Sequence, residues 1–525
     1  MGKELLRLSE DANLNYVCRI CRIGEVRPIE NSDNLVVTNV NGFNIVISKE
    51  FKEGDIVIYF PIECALSPKY LSVNNLYEFS ERMLNSNAIE VSELFDRANV
   101  TEDKEERERL LAEAKSKVGF FSKKGRVRII KLRGCPSEGF IAGTDSLVKM
   151  NQDLADVNWE ELVGLDFDMV GDDRLCWKYV VAIPQDNGPR ESHFEKRRRK
   201  TLKKFDKLIP GKFEFHYDTI LLERVLSNLS PDDKVVITRK LHGTSAIFAN
   251  VLCNRKLTKL EKVKKFFGVK VNATEYSNIY SSRTVIKNRY INPGRQDFYG
   301  TDVWGEVNKM LLPYLENGMT VYGEIVGYVP GSSKMIQKNH DYGCEVGEWK
   351  FMPYRITTED EWGNKLEWEM LDVDAWTKSL VVNHPELAKN IMFLTIEYRG
   401  RLGDLYPDLD VNLHWHENFL ERIKNDKEHF LMEEKEPLCN LYKAEAEIAK
   451  RNLEEAIALG KHKKDINKLQ AEYDKWEAMR APVEGIVIRV DHDKFPRAYK
   501  VKTLAHKFME CKMHDAGEVD IEESA

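Results

Sequence analysis

The stretch Val235-Val-Ile-Thr-Arg-Lys240-Leu-His-Gly243-Thr-Ser carries an apolar run into a lysine and then into a turn that contains glycine. An apolar run of this length followed by glycine predicts a buried β-strand, with Lys240 at its end. By itself, a lysine in this position is also compatible with an ordinary surface residue. The chemistry of Lys240 therefore has to be judged together with the other motifs of the chain.

Five further stretches, which contain glycines, acids and bases, follow Lys240 in the sequence. They are Tyr280-Ser-Ser-Arg283-Thr, Thr320-Val-Tyr-Gly323-Glu324-Ile-Val-Gly327, Trp349-Lys-Phe-Met-Pro-Tyr354-Arg-Ile, Val483-Glu484-Gly485-Ile-Val-Ile-Arg and Arg497-Ala-Tyr-Lys500-Val-Lys502. In this order, the six stretches resemble motifs I, Ia, III, IIIa, IV and V of the covalent nucleotidyltransferase superfamily. That superfamily contains DNA ligases, RNA ligases and mRNA capping enzymes, and the resemblance covers roughly residues 213–507.

The residue before Gly243 narrows the resemblance. Histidine in Lys240-Leu-His242-Gly243 is typical of type-2-like RNA ligases, whereas DNA ligases and capping enzymes usually have aspartate there. A barrel-like region also precedes the motifs, and this order resembles the fifth RNA ligase family of bacteria and viruses. Members of that family seal nicked duplexes and need ribonucleotides on the 3′-hydroxyl side. The resemblance implies an ATP-dependent RNA ligase that joins 5′-phosphate and 3′-hydroxyl ends, with nicked RNA-containing duplex as its partner.

Three alternatives stay open at this point. Within the enzyme class, the chain could be a DNA ligase or a GTP-dependent RNA capping enzyme. Outside it, the chain could be an RNA-binding protein built on an inactive transferase scaffold. The intact Lys240, Glu324, Glu484, Lys500 and Lys502 argue against the inactive scaffold.

The resemblance also implies roles for individual residues. Lys240 would carry AMP in a lysyl-AMP intermediate formed from ATP, and Glu484 would hold Mg²⁺ or Mn²⁺. Glu324 would contact the ribose, or help to organise the metal and the lysine. The other candidates for nucleotide binding are Tyr354, which would stack on adenine, Phe351 as its reserve, Arg283, which would contact phosphate or the substrate end, and His242, Gly243 and Arg239 around the lysine.

Three positions depart from the family pattern. Arg239 stands where some type-2 ligases have glutamate, Ser245 where they often have asparagine, and Arg355 where motif IIIa normally has aspartate. The family's adenine and phosphate contacts therefore do not carry over directly at these positions.

Two lysines near the end of the chain fit the chemistry expected of Lys240. A free lysine has a pKa near 10.4 and is mostly protonated at neutral pH, whereas nucleophilic attack needs the neutral amine. Lys500 and Lys502 alternate on one predicted strand, so their side chains share a face. In the family both lysines approach the α-phosphate. They would favour the neutral form of Lys240 and neutralise charge in the transition state.

The order of the predicted elements indicates an α+β protein with two main domains. Short strands within residues 15–60 and again near 125–133 predict an OB-type barrel in residues 1–183, with a helical insertion near 74–117. Residues 184–212 form a predicted basic linker that includes the run Lys196-Arg-Arg-Arg-Lys200. Residues 213–510 form the predicted nucleotidyltransferase domain, an antiparallel-sheet, ATP-grasp-like ligase domain with a largely helical insertion near 357–480. Residues 511–525 are expected to be an acidic tail.

Composition sets the remaining expectations. The chain has 525 residues and a net charge of −7, which argues against attraction to nucleic acid over the whole surface and leaves room for a local basic groove. No apolar stretch is long enough to cross a bilayer, and no signal peptide or obligate protein partner is evident. Nine cysteines without a dense framework indicate a reducing compartment, so a cytoplasmic location is expected.

Overall fold

The computed structural model describes residues 2–30, 32–181, 207–287, 299, 301–432, 435–440, 443–478, 481–491 and 496–518. The chain divides into two compact units. The N-terminal unit consists of Met1–Val180, Ile220–Leu226 and Lys507–Asp515, and the catalytic-motif unit consists of Val181–Thr219, Ser227–His506 and Ala516–Ala525.

The N-terminal unit is built from short antiparallel strands. Its strands are β1 Leu6–Arg7, β2 Cys18–Arg22, β3 Val26–Pro28, β4 Leu35–Val40, β5 Phe43–Ser48, β6 Ile56–Pro61, β7 Cys64–Leu66, β8 Ile130–Leu132, β9 Cys135–Ser137, β10 Gly139–Gly143, β11 Asp166–Phe167, β12 Met169–Val170, β13 Asp173–Arg174, β14 Cys176–Lys178 and β15 Ile220–Leu221. Its main sheet has the order β10-β6-β2-β11, and β3, β4 and β5 form a second sheet. Burial alternates along β5, as expected of a strand with one face on a core.

Helices of this unit are α1 Gly2–Leu5, α2 Pro68–Val73, α3 Ala88–Val100, α4 Lys104–Ser116 and α5 Asp145–Met150. The pair α3 and α4 lies within the stretch predicted to be helical, residues 74–117. The Asp103 side chain caps α4 by accepting from the backbone N–H groups of Glu105 and Glu106. The two helices share a small core of their own that includes Leu94 and Leu110.

Arg126 and Arg128 alternate with apolar residues in the sequence, a pattern that fits either a nucleic-acid-binding strand face or a solvated one. In the structure, Arg126 is buried and donates to Glu63, at 2.6 Å, and to Asp515, at 3.0 Å. A buried guanidinium held by two carboxylates is not offered to a phosphate backbone.

The catalytic-motif unit contains two antiparallel sheets. Its strands are β16 Lys234–Lys240, β17 Thr244–Asn254, β18 Thr274–Ser281, β19 Met319–Gly327, β20 Trp349–Glu359, β21 Lys365–Glu367, β22 Ile396–Arg401, β23 Gly485–Val490 and β24 Arg497–Lys502. One sheet contains these strands in the order β24-β23-β16-β22, and the other has the order β18-β17-β19-β20-β21. The predicted α+β class with antiparallel sheets is confirmed.

Helices that follow α5 along the chain are α6 Lys259–Phe266, α7 Val303–Leu311, α8 Met370–Asn383, α9 Leu402–Leu405, α10 Trp415–Lys424, α11 Lys427–Phe430, α12 Lys443–Ala458, α13 Lys463–Ala478 and α14 Leu504–Asp515. Trp304 of α7 is fully buried in a core that also contains Phe248 of β17 and Phe351 of β20. The Trp304 indole N–H donates to the Ser245 carbonyl at 3.0 Å, which ties α7 to the strand that follows Lys240.

The predicted insertion near 357–480 is only partly an insertion. Its strand β22 pairs with β16 directly, with Ile237 opposite Tyr398, and so completes the sheet that carries Lys240. The helices α12 and α13 lie in the part of this stretch that was predicted to be helical.

The ends of the predicted segments also differ from the structure. Residues 511–515 continue α14 and do not belong to a tail, and Lys507–Asp515 groups with the N-terminal unit. Most of the predicted basic linker, including Lys196–Lys200, and residues 519–525 lie outside the described residues. Within the described residues, every helix is too short or too polar to cross a bilayer.

Candidate active site

Strand register brings three of the predicted site residues together. Lys240 is the last residue of β16 and pairs with Gly485 at the start of β23. Gly485 in turn pairs with Lys502 at the end of β24. Residues in register on adjacent antiparallel strands lie about 5 Å apart. Three side chains therefore meet where these strands end: Lys240, Lys502 and Glu484, the residue before Gly485.

Gly485 is required by this register. Its φ is +147°, and a Cβ at this position would lie 2.0 Å from the Val501 carbonyl oxygen. Only glycine avoids that collision. The close approach of β23 to β24 sets Glu484 beside the two lysines.

Glu484 is a buried carboxylate between cations. Its Oε1 lies 2.9 Å from Lys240 Nζ and 3.7 Å from Lys502 Nζ. Burial acts to raise the pKa of Glu484, but Lys240, His506 and Lys502 outweigh it and hold that pKa well below its usual range. Glu484 is thus an anion that fixes Lys240 at the edge of the sheet.

A second carboxylate shapes the turn after Lys240. Glu324 lies opposite Ser245 in the pairing of β19 with β17, and its Oε1 accepts from the Gly243 N–H at 3.0 Å. A Cβ at Gly243 would lie 2.3 Å from the Ile325 carbonyl oxygen, so the turn can approach β19 this closely only with glycine. Glu324 and Gly243 therefore hold the lysine-bearing turn against the second sheet.

The two other predicted cations share an acidic partner. The Asp218 carboxylate Oδ1 lies 2.9 Å from Lys500 Nζ and 3.0 Å from an Arg283 guanidinium nitrogen. Burial lowers the pKa of Lys500, the charges of Lys502 and Lys240 lower it further, and Asp218 opposes them. Lys500 and Arg283 are thus brought to one anion position, which Asp218 fills.

An aromatic group lies near this anion position. Tyr354 is partly buried, and its hydroxyl is 3.5 Å from Ser245 Oγ. Its ring centroid is 5.3 Å from that of His216, at an interplanar angle of 63°. Burial and the nearby Arg355 and Arg283 lower the pKa of His216 to about 3, so its imidazole is neutral. Among the described residues, its buried Nδ1 has no hydrogen-bond partner. His216 and Asp218 were not predicted, because they precede the motifs in a stretch with no recognisable pattern.

Two predicted nucleotide contacts do not agree with the structure. Phe351 is fully buried, and its ring packs against Phe248 at a centroid distance of 5.2 Å, so it belongs to the core. Arg239 is buried and held by Glu397, at 2.5 Å, and Glu436, at 3.3 Å. Adjacent residues of a strand point to opposite faces, so Arg239 faces away from the side of β16 that carries Lys240.

Three buried side chains near Lys240 could hold a divalent cation. One ligand atom each from His242, Glu484 and His506 lies within 4.8 Å of the others. Among the described residues, Glu484 Oε2 is buried and has no hydrogen-bond partner. Two imidazoles and a carboxylate suit Zn²⁺ or Mn²⁺ better than Mg²⁺, which prefers oxygen ligands. The residues therefore fit a metal ion. Glu324, the second predicted ligand, lies outside this group of three.

His506 was missed by the sequence reasoning, and Thr503 explains its position. The Thr503 N–H donates to the Glu484 carbonyl at 2.9 Å, and Thr503 Oγ1 accepts from the His506 N–H at 3.1 Å. This residue joins the start of α14 to the loop of Glu484. The available signal was the four-residue spacing from Lys502 to a histidine, which is weak by itself.

Comparisons with known proteins add the following. A family model described as an OB-fold domain matches residues 17–97, so the N-terminal unit contains an OB-fold domain as predicted. A search of curated proteins finds no match. A solved complex of a Naegleria gruberi RNA ligase variant with AMP and Mn is similar in fold, with a TM-score of 0.47, 16% identity and coverage of 94% of this chain and 98% of that chain. The complex of that ligase with PPi has a TM-score of 0.47 and 16% identity, and covers 96% of this chain and 100% of that chain.

Proposed function

We propose that this protein is an ATP-dependent RNA ligase that seals 5′-phosphate and 3′-hydroxyl ends, at nicks in an RNA-containing duplex, through a lysyl-AMP intermediate on Lys240. The observation that supports this most strongly is the register Lys240–Gly485–Lys502. This register brings the candidate nucleophile Lys240, the ionised Glu484 and the cationic Lys502 together where their strands meet.

The first step would be attack of the neutral Lys240 amine on the α-phosphorus of ATP. A phosphorus–nitrogen bond forms, the bond to the pyrophosphate oxygen breaks, and pyrophosphate leaves. Lys240 is ion-paired with Glu484 in this structure, so the ammonium has to release a proton to solvent water before the attack. Glu484 holds the side chain in one direction until then.

The phosphate groups would be bound by Lys500 and Arg283. Both already converge on the Asp218 carboxylate, which occupies the position expected of a phosphate oxygen. An incoming phosphate would displace Asp218 or share its cations. Lys502, which lies near Glu484, would add charge neutralisation in the transition state.

Adenine would lie against Tyr354, with His216 at its edge. A neutral imidazole with a buried and unpartnered nitrogen can donate to or accept from a base. The remaining steps would pass AMP from Lys240 to a 5′-phosphate and then let the adjacent 3′-hydroxyl attack that phosphate, expelling AMP. A divalent cation held by Glu484, His242 and His506 would supply charge neutralisation at the phosphates.

A strand-joining assay tests this proposal and its alternatives. The purified protein, ATP and a divalent cation would be incubated with nicked duplexes whose 3′-hydroxyl strand is RNA or DNA, with Lys240→Arg as the matched control. We expect joining of the RNA-ended nick, little joining of the DNA-ended nick and none with the variant. Equal joining of both nicks would favour a DNA ligase. Covalent labelling of the protein by GTP and not by ATP would favour a capping enzyme.

A further inference from the structure

The helix α6 and the turn after it expose an unusual number of large apolar side chains. These side chains are Leu260, Val263, Phe266, Phe267 and Val269, and between 52% and 85% of each is exposed. The helix has no buried residue at all. Surface apolar residues are normally scattered singly, and a contiguous group of five marks an interaction site. We call residues 259–270 the α6 surface.

The same surface is strongly basic. Residues 259–270 contain five lysines and one glutamate, for a net charge of +4 in a chain whose total is −7. The one acid, Glu261, is engaged with Arg255 at 2.5 Å and caps the helix through Thr258. The lysine charges are therefore offered to an external anion. A partner of this surface must be an anion that also presents apolar area.

The geometry of the two phenylalanines favours bases over lipid. The rings of Phe266 and Phe267 lie 5.5 Å apart at an interplanar angle of 83°, with 85% and 74% of the residues exposed. Two open ring faces at right angles can each stack on a planar base. On a helix with about 100° per residue, Lys259 falls inside the arc of Leu260, Val263 and Phe266. Because the charge of Lys259 lies within the apolar arc, this face is better able to bind a polyanion than to enter the interior of a bilayer.

The α6 surface is connected to the candidate active site by two long strands. It lies between β17, which begins next to Gly243, and β18, which is followed by Arg283. The 11 residues of β17 span about 33 Å at roughly 3.3 Å per residue. An RNA duplex is A-form and rises somewhat less per base pair than the roughly 3.4 Å of B-form DNA, so it covers that length in roughly ten to twelve base pairs.

We propose that the α6 surface binds a single-stranded RNA segment that extends from the duplex being sealed, beginning about ten base pairs from the nick. Phe266 and Phe267 stack on unpaired bases, and the surrounding lysines contact phosphates. This inference rests on the proposed function for the identity of the nucleic acid. It assigns to α6 a substrate-binding role outside the six motifs.

Binding measurements on the full-length protein test this inference. Two nicked RNA duplexes would be compared by fluorescence anisotropy without ATP: a blunt one with ten base pairs on each side of the nick, and the same duplex with a single-stranded extension at each end. The test variant is Phe266→Ser/Phe267→Ser, which removes no buried contact. The matched control is Ile448→Ser/Ile457→Ser, which changes two exposed apolar residues of α12.

The wild type should bind the extended duplex at least tenfold more tightly than the blunt one, and the phenylalanine variant should lose that difference. The control variant should keep it. Lys264→Gln/Lys265→Gln should reduce the slope of log affinity against log salt by about 1.4 on the extended duplex.

The inference would be overturned if the phenylalanine variant bound the extended duplex within twofold of the wild type, or if the wild type showed no preference for the extension. It would also be overturned if the two phenylalanines were needed for binding to vesicles of anionic phospholipid while RNA affinity stayed unchanged. Covalent labelling of Lys240 by ATP is measured separately on the same proteins. Normal labelling with unchanged RNA affinity would refute the role of α6 alone. Phenylalanine-dependent RNA binding without labelling would refute the ligase proposal alone.

Discussion

The contact between Lys240 and Glu484 makes a quantitative prediction that does not depend on the function. Two unit charges 2.9 Å apart attract by about 6 kcal/mol at an effective dielectric constant of 20, before either charge has paid for leaving water. Charge-assisted hydrogen bonds measured in proteins contribute about 1.5–3 kcal/mol net. We expect a coupling free energy between Lys240 and Glu484 of about 1.5–3 kcal/mol, because the desolvation of a fully buried Glu484 offsets most of the Coulomb attraction.

The test is a double-mutant cycle on the free energy of unfolding of the catalytic-motif unit. The variants are Lys240→Met, Glu484→Gln and their combination. Glu484→Gln alone should cost about 3–5 kcal/mol, because it leaves the charges of Lys240 and Lys502 without a buried counter-charge. In the double variant one of those charges is gone, so its cost should fall short of the sum of the single costs by about 1.5–3 kcal/mol.

The assay is urea unfolding followed by circular dichroism, with tryptophan fluorescence as a second probe. Both probes must show the same transition for this unit, since a chain with two units can unfold in more than one step. If the two single costs add within about 0.5 kcal/mol, Lys240 and Glu484 do not interact in the folded protein, and the assignment of the site would be wrong.

Three further predictions concern single residues. Gly485→Ala should destabilise the protein by about 3 kcal/mol or more, because its Cβ would meet the Val501 carbonyl oxygen at 2.0 Å. Gly460 has open space around it, so Gly460→Ala should cost only about 1 kcal/mol in the same unfolding assay. His216→Ala should weaken ATP binding about tenfold in calorimetry. The pH dependence of ATP binding between pH 5.5 and 8.5 should stay the same, because a pKa of about 3 keeps His216 neutral throughout that range. A changed pH profile would contradict the assignment of His216 as a neutral contact of the base. His506→Ala should reduce the affinity for Mn²⁺, measured by electron paramagnetic resonance without nucleotide, about 10-fold or more, because it removes an imidazole ligand. An unchanged Mn²⁺ affinity would exclude His506 as a ligand.

Lys240, Glu484 and Lys502 were named from the resemblance of their stretches to the nucleotidyltransferase motifs. The structure adds that Lys240 and Lys502 end their strands and that Glu484 directly precedes β23, which is why the three residues lie together. The α+β class and the helical stretch around α3 and α4 were predicted from local sequence patterns, which determine them.

Strand periodicity could have prevented two wrong assignments. Arg239 and Lys240 are neighbours on β16 and must point to opposite faces, so both could not face the nucleotide. Phe351 and Tyr354 are three residues apart on β20, and an odd spacing on a regular strand also gives opposite faces. The structure places Phe351 in the core and leaves Tyr354 beside Ser245.

Long-range pairing could not be read from the sequence. The strand β22 lies more than 150 residues after β16 in the chain and still pairs with it, because only the three-dimensional sheet brings them together. Asp218 is similar, since a single aspartate in an irregular segment carries no pattern until Lys500 and Arg283 are seen around it. These contacts depend on tertiary structure and have no local signal.

The proposed ligase activity depends on covalent attachment of AMP to Lys240. The most direct measurement is mass spectrometry of the protein after incubation with ATP and a divalent cation, with the modified peptide mapped and its bond tested for the acid lability of a phosphoramide. Protein purified already modified would first be discharged with pyrophosphate. We expect one AMP on the peptide that contains Lys240, and none on Lys240→Arg. An unmodified Lys240 after discharge and incubation with ATP, or AMP attached to another residue, would contradict this proposal.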